Sequence, residues 1–405
     1  MRGFLAIILC FISFSKGNAS KWLESVLKSD TCSLVQKVIA QPEKFRLQLM
    51  VTIIDRDQNG YPSVKRHKSD FWPKDYFFPA STFKLPICFL ALEKLKMLEN
   101  EHININTDFY CKTDQCYPIL LTNPADSITR YASINDLIVA SLVFSDNYSP
   151  KILQEFIGKE FCDNRLSKLG LHSTILNNFP SPNKTGMLQD SKWAFWSPNS
   201  GWLLENKINK TSQNQSAKPA FVGEKSLING RIINRPWDFS NENQIELQDL
   251  HHLMEAIVLP ELNILPNMML QTPDLNYLMQ TLAAWPRNKQ TPLYAWGDKL
   301  PDNFRKFLFI GDLPKDSLIP EHITIANKVG LAYGFMTDIS YFRDKLTQTE
   351  LIVSASIYVN ENETINDGIY QYESIGLPFM GQIGRTLIKS QMEKKTFKKL
   401  KASLP

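Results

Sequence analysis

The chain has 405 residues, 43% hydrophobic and 21% charged, which is ordinary for a globular protein and enough for one large domain or two to three small ones. Its formal net charge is +4, and residues 1–19 contribute Arg2 and Lys16 with no acid, so the remainder falls to +2. A charge that weak argues neither for a nucleic-acid partner nor for a membrane surface, and neither is expected as a partner.

Arg2 is followed by an apolar run from Phe4 to Phe14 and then by Ser15-Lys16-Gly17-Asn18-Ala19-Ser20. This pattern predicts an export signal cleaved near Ala19, and the run is too short to span a bilayer as a helix. Cys10 lies inside the run without the small residues that precede a lipidated cysteine. No second apolar stretch is long enough for a membrane helix, so an exported protein, periplasmic or secreted, with no membrane contact after signal removal is expected. Five cysteines then remain: Cys32, Cys88, Cys111, Cys116 and Cys162. An odd number in an oxidising compartment leaves at least one thiol over. Cys111 and Cys116 flank a short polar loop and are the pair expected to form a disulfide, whereas Cys88, in an apolar run, reads as a buried thiol. The Cys and His spacings fit no zinc finger or ribbon, and His251, His252 and Glu255 read as one side of a solvated helix.

In chain order, Lys21–Ala40 has helical apolar spacing, and Arg46–Asp55 alternates like a strand that ends at the hairpin signal Asn59-Gly60. Thr82–Leu98 is apolar almost all round, which places a helix in the middle of a lobe. Helices follow at Ser133–Phe144, with Ser133 as N-cap and Asp136 at the third helical position, at Lys151–Ile157 and at Leu247–Val258. Residues 180–243 interrupt the pattern with Asn, Ser, Lys, Pro and four tryptophans (Trp193, Trp196, Trp202 and Trp237). They read as a long, packed insertion of the kind that carries function or fills space. Ile323–Val329, Gly334–Phe342 and Leu351–Val359 predict three consecutive antiparallel strands, and Phe379–Met392 a closing helix. The basic tail Lys394 to Lys401 reads as a solvated helix end. Strands at both ends with helices between give an α+β class: an antiparallel sheet built from both chain ends and flanked by helices, plus an inserted all-helical lobe. The expected boundaries are a sandwich over about 20–75 and 300–392 and a lobe over about 76–299.

Four Ser-x-x-Lys matches occur, starting at Ser13, Ser25, Ser81 and Ser181, so none is informative alone. Ser81-Thr82-Phe83-Lys84 stands out because it opens the buried helix. There Lys84 lies one turn from the serine on the same face and can serve as its base, and the helix N-terminus favours an anion. Ser145-Asp146-Asn147 follows the helix ending at Phe144, and Lys328-Val329-Gly330 lies on the first closing strand.

Those three motifs, in this order and in these contexts, resemble the signature set of class A β-lactamases and penicillin-binding proteins. Phe78-Pro79-Ala80-Ser81-Thr82-Phe83-Lys84 is similar to the nucleophile segment of that superfamily, and Tyr333-Gly334-Phe335-Met336-Thr337-Asp338 to its next strand. The resemblance covers Lys21 to about Lys389 apart from the insertion, and is strongest to large serine hydrolases of the group. It implies that Ser81 attacks a carbonyl, that Lys84 takes its proton directly or through water, and that Ser145 relays a proton to the leaving nitrogen. It further implies that Asn147 holds Lys84 and the substrate amide, that Lys328 attracts a substrate carboxylate, and that the N–H groups of Ser81 and Leu331, beside Gly330, form an oxyanion hole. Asp146 is expected to be structural. Two departures matter. Val329 replaces the usual hydroxyl residue, and Pro180 falls about where the glutamate that activates the deacylating water belongs; Asp190 and Glu205 are the nearby carboxylates. The implied function is β-lactam amide hydrolysis through an acyl-enzyme, without metal or cofactor, by a monomer acting on a β-lactam or peptidoglycan-like small molecule. The alternatives are a D,D-peptidase, amidase or esterase on cell-wall fragments, or a slowly acylated binding or sensor protein.

Overall fold

A computed structural model describes residues 21–69, 76–113, 115–122, 127–177, 191–207, 218–288, 292–294 and 297–402. The expected export signal, Pro180 and Asp190 lie outside the described residues.

The N-terminal helix divides into α1 (Lys21–Ser29) and α2 (Ser33–Ile39). The break is made by Asp30, which is buried, accepts the Cys32 N–H at 2.7 Å, and also accepts Gln382 Nε2 at 3.1 Å and the Thr386 hydroxyl. Its carboxylate therefore anchors the helix corner to the far end of the chain. Strands β1 (Gln48–Arg56) and β2 (Pro62–Lys68) form the expected hairpin; Gly60 in its turn has φ +82, a conformation that glycine adopts without strain.

The predicted helix from Thr82 begins as a 3-10 turn over Ala80–Phe83 and continues as α3 (Lys84–Lys96). Pro86 sits in its first turn, where a missing N–H costs nothing. The helix is buried on all sides, including Glu93, which Arg165 grips through two hydrogen bonds of 2.8 Å. Around it the lobe adds β3 (Asp108–Lys112), β4 (Leu120–Thr122), β5 (Thr129–Tyr131), α4 (Ile134–Leu142), α5 (Ser149–Ile157) and α6 (Lys159–Lys168). Ser133 caps α4 in a reciprocal capping box with Asp136, as expected. Cys88 is fully buried on α3, and burial pushes its thiol up to about 12. Cys111 and Cys116 are both buried, beside a turn closed by Thr113 N–H donating to Cys116 O at 2.8 Å.

The insertion folds as strands that its composition did not reveal: β6 (Lys192–Ser197), β7 (Gly201–Lys207), β8 (Phe221–Val222), β9 (Lys225–Ile228), β10 (Arg231–Ile233) and β11 (Trp237–Asp238). The chain leaves the lobe at Ile175 and returns at Gln244, and these two residues exchange backbone hydrogen bonds of 2.7 and 2.9 Å. The excursion is tied back at several places. β6 pairs with β3 and β9 pairs in parallel with β15 (Thr364–Ile365) near the C-terminus, while β8 and β11 pair with each other within the excursion.

After α7 (Leu247–Val258) and α8 (Thr272–Ala283) the chain completes the main sheet with β12 (Ile323–Ala332), β13 (Phe335–Asp344) and β14 (Thr349–Tyr358) and ends in α9 (Leu377–Ala402). The sheet order is β12-β13-β14-β1-β2, antiparallel throughout, so both chain ends build it. One face packs a core with α1, α2 and α9, and the other packs against the lobe. No helix among the described residues is long and apolar enough to cross a membrane.

α7 corrects the reading of a solvated His/Glu face. His251 and Glu255 are both fully buried against the sheet. Thr52 donates to Glu255 at 2.6 Å and contacts His251 Nε2 at 2.8 Å, Ser354 meets His251 Nδ1 at 2.7 Å, and Arg66 Nε donates to Glu255 at 2.8 Å. Hydroxyls on inward-facing strand positions give this helix polar partners that a periodicity argument cannot see. Removing one partner of such a buried set leaves the others unsatisfied, so Glu255→Ala is expected to lower the unfolding free energy by about 3 kcal/mol in denaturant titrations. Burial lowers the pKa of His251 to about 4. The unfolded chain therefore binds the extra proton between about pH 6.5 and 4, and stability falls as pH drops through that window. The slope is expected to be shallower in His251→Asn.

Candidate active site

Three elements meet at the head of α3. Ala80, at φ +43, turns the backbone immediately before Ser81 into the left-handed region, and Ser81 is half-buried with Lys84 one turn below it, fully buried. Ser145 also holds a positive φ, +56, which directs its carbonyl as well as its hydroxyl inward. Strain of this kind at a non-glycine residue persists only where surrounding contacts fix it. Here the contacts are Lys84 Nζ to Ser145 O at 2.7 Å, to Ser145 Oγ at 3.3 Å and to Asn147 Oδ1 at 2.7 Å. Lys328 Nζ reaches the same Ser145 Oγ from the sheet at 2.8 Å. The structure thus brings Lys84, Ser145, Asn147 and Lys328 together one turn below Ser81.

Two lysine nitrogens that share one hydroxyl are no more than about 6 Å apart, and like charges at that range disfavour double protonation. Burial, followed by the nearby charge of Arg305, lowers Lys84 to about 7. Burial, then Lys84 and Arg305, pushes Lys328 well below the ordinary lysine range. A lysine near pH 7 in its titration is matched to taking a proton from a serine hydroxyl. With both lysine nitrogens donating to Ser145 Oγ, the Ser145 proton is left to point elsewhere. Asn147 accepts from Lys84 through its oxygen, which leaves its NH2 group for an outside acceptor.

Gly330 has a structural reason to be glycine. A Cβ there would stand 2.3 Å from Pro79 O and 3.2 Å from the Ala80 side chain, so its absence lets β12 abut the turn that carries Ser81. Leu331, next along the strand, is exposed, and Val329 is buried in the core beneath the sheet. Asp146 has the structural setting expected: burial raises its carboxyl, but the Ser149 and Tyr148 N–H groups at 2.5 and 3.0 Å and the Tyr294 side chain hold it low.

Arg305 was not legible in the sequence. It lies between α8 and β12 at φ +53 and lines a small cavity with Leu142, Val143, Lys328 and Val329. A buried relay supports it: Lys306 Nζ donates to Asn327 Oδ1 at 2.9 Å, Asn327 Nδ2 to Asp338 at 2.9 Å, and the Phe307 and Leu308 N–H groups to the same carboxylate at 3.0 and 2.9 Å. Of the candidate carboxylates, Glu205 is held at the surface by Lys192 at 2.5 Å. Glu242, also missed, is the described carboxylate of the excursion that bears on this region; after burial, its charge is what raises Tyr76 and Tyr333. Among the described residues no group of three or more His, Cys, Asp or Glu side chains is placed to hold a metal.

A serine at the head of a buried helix, a depressed lysine below it and a hydroxyl bridging two lysines thus lie at the junction of lobe and sheet. Residues 35–278 match the model of the β-lactamase enzyme family, and the chain belongs to that family. Similar solved structures include a β-lactamase from Sphaerobacter thermophilus (14% identity, TM-score 0.46, covering 91% of this chain and 96% of that one). A class A β-lactamase from Bacteroides cellulosilyticus compares at 12% identity and TM-score 0.47, covering 91% and 99%. An acyl-enzyme complex of a PBP-A variant with penicillin G compares at 14% identity and TM-score 0.47, covering 92% and 97%. Comparison with curated protein sequences finds no match.

The close approach at Gly330 yields a direct test. Gly330→Ala must push β12 from the Ser81 turn, and displacement of about 1 Å costs roughly a hundredfold in rate. Acylation of Ser81, followed by intact mass, is expected to fall by that order while circular dichroism stays native.

Proposed function

We propose that this protein is an exported serine hydrolase that forms an acyl-enzyme at Ser81 with a β-lactam or a related amide. The observation that carries the reading is the contact of Lys84 Nζ with Ser145 and Asn147, one turn below Ser81. In this mechanism neutral Lys84 takes the Ser81 proton, directly or through one water, as Ser81 Oγ bonds to the carbonyl carbon. The Ser81 and Leu331 N–H groups stabilise the negative charge on oxygen. The carbonyl re-forms as the C–N bond breaks, and Ser145 gives its proton to the leaving nitrogen and recovers one from protonated Lys84. Lys328 and Arg305 attract the carboxylate of the substrate, a task for which the buried Val329 has no hydroxyl. Export is supported by Arg2 and the apolar run Phe4 to Phe14, and a monomer acting on a small molecule, with no nucleic-acid or membrane partner, agrees with the weak net charge.

Release asks for a second base near the ester. Glu205 is occupied with Lys192, and the loop in which that base is expected is replaced by a long excursion between Ile175 and Gln244. We therefore infer slow deacylation, and take Glu242 as the first carboxylate to test for what turnover remains.

Intact-protein mass spectrometry in parallel with a chromogenic cephalosporin time course tests this. An adduct on Ser81 is expected to outlast one turnover, to be absent in folded Ser81→Ala and to live longer in Glu242→Gln. Rapid multiple turnover with no adduct would refute slow release; labelling that persists in Ser81→Ala would refute the nucleophile; an unchanged lifetime in Glu242→Gln would remove that residue.

A further inference from the structure

The segment between α8 and β12 closes over the turn that carries Ser145. Its 3-10 turn, Pro292–Tyr294, lays the Tyr294 ring on Phe144, with centroids 4.3 Å apart and planes inclined by 8°. Tyr294, Ala284 and Leu300 pack on Val139, Val143 and Phe144, a small apolar cluster at the end of α4 that is separate from the two main cores. Gly297 makes the fit possible, because a Cβ there would stand 2.9 Å from Pro286 O and 3.0 Å from the Phe144 ring.

The same tyrosine reaches across Ser145. Its hydroxyl hydrogen-bonds the side chain of Asp146, the carboxylate that also accepts the Tyr148 and Ser149 N–H groups. Phe144 and Asp146 are the residues immediately before and after Ser145. One side chain therefore grips both neighbours of the serine, the first by stacking and the second by hydrogen bonding. Ser145 needs such a grip, because its φ of +56 is costly for a residue with a side chain. Burial and then Asp146 raise the Tyr294 hydroxyl. Asp146, which burial alone would raise, is held low by the Ser149 N–H and its other donors. Donor and acceptor thus keep their forms while Lys84 titrates at about 7.

What this grip fixes is the aim of the Ser145 hydroxyl. Lys84 has a further acceptor in Asn147 Oδ1 at 2.7 Å and its own burial on α3, so its state does not hang on Ser145 alone. The Ser145 hydroxyl depends on its backbone for direction, with Lys84 at 3.3 Å and Lys328 at 2.8 Å as the groups it must meet. A loosened turn therefore harms departure of the leaving nitrogen before it harms attack by Ser81.

We propose that Tyr294 is a positioning residue for the proton relay: by clamping Phe144 and Asp146 it aims the Ser145 hydroxyl at the leaving nitrogen. In that step the C–N bond breaks and its electron pair stays on nitrogen. The nitrogen takes the Ser145 proton, and Ser145 takes one from protonated Lys84, so charge and protons balance. The inference rests on acylation at Ser81 with Ser145 as the proton donor.

Two probes separate aim from attack: benzylpenicillin, whose nitrogen must be protonated to leave, and an acyclic thioester, whose thiolate leaves without a proton. Acylation of Ser81 is followed by rapid-quench intact mass in wild-type protein, in Tyr294→Phe, which keeps the ring and loses the hydroxyl, and in Tyr294→Leu, which loses both holds. With benzylpenicillin the rate is expected to fall roughly tenfold in Tyr294→Phe and roughly a hundredfold in Tyr294→Leu, the range that a misaimed acid–base group costs. With the thioester both variants are expected to stay within about threefold of wild type, with native melting curves. Equal losses on the two probes, or no loss on either in folded Tyr294→Phe, would overturn the clamp and leave the acyl-enzyme reading standing. If neither probe acylated wild-type protein at Ser81, that reading would fall and the clamp with it.

Discussion

The burial of Lys84 is the constraint on which the rest of the site depends. A lysine at the root of a lobe helix, with no exposure to solvent, must find acceptors or lose its charge, and both happen here. Its acceptors come from the turn after α4, which is why Ser145 adopts a left-handed backbone and offers carbonyl and hydroxyl together. Its charge is opposed by burial and by Arg305. Lys328, delivered by the sheet to the same hydroxyl, makes Ser145 the joint between the two halves of the molecule. The close seating of β12 against the Ser81 turn is possible only because residue 330 has no side chain. The depressed lysine, the hydroxyl between two amines and the close seating of β12 thus follow from packing one amine where water does not reach.

How much of this could be read in the sequence depends on distance along the chain. The sheet from both ends, the buried α3, the capped α4 and the three closing strands carry their own periodicities, and each lies close to its expected place. The same is true of Ser81, Lys84, Ser145, Asn147 and Lys328, because each belongs to a short motif in a recognisable local context. The features that escaped are those made by residues far apart. Arg305 has no motif; only the relay through Lys306, Asn327 and Asp338 gives it a place. His251 and Glu255 read as solvated because nothing local announces Thr52, Arg66 and Ser354 as their partners. Helical spacing alone carries the N-terminal helix through Asp30, which in fact turns away to meet Gln382 and Thr386.

The excursion between Ile175 and Gln244 shows both effects. Its tryptophans point to packed structure, but its strands are short and two of them take a partner outside it, β6 on β3 and β9 on β15, so alternation within the segment is too brief to register. Its place in the molecule follows from those pairings. It carries Trp237 and Phe239 to Phe78 and Tyr333, the aromatic residues beside Ser81 and Leu331 in sequence, and it brings Glu242 near Tyr333. A loop of this length costs little more in closure entropy than a short one, and its backbone bridges at both ends allow it to shape the neighbourhood of the nucleophile without disturbing the frame that holds Lys84.

The claim that burial makes Lys84 a base near neutral pH is tested most directly by the pH dependence of Ser81 acylation in single-turnover experiments between pH 5 and 10. Deprotonated Lys84 accumulates as pH rises, so the account predicts a rate that climbs through an inflection near 7 and then levels. A rate that is flat across the neutral range, or one that inflects only near the ordinary lysine value of about 10.4, would contradict it.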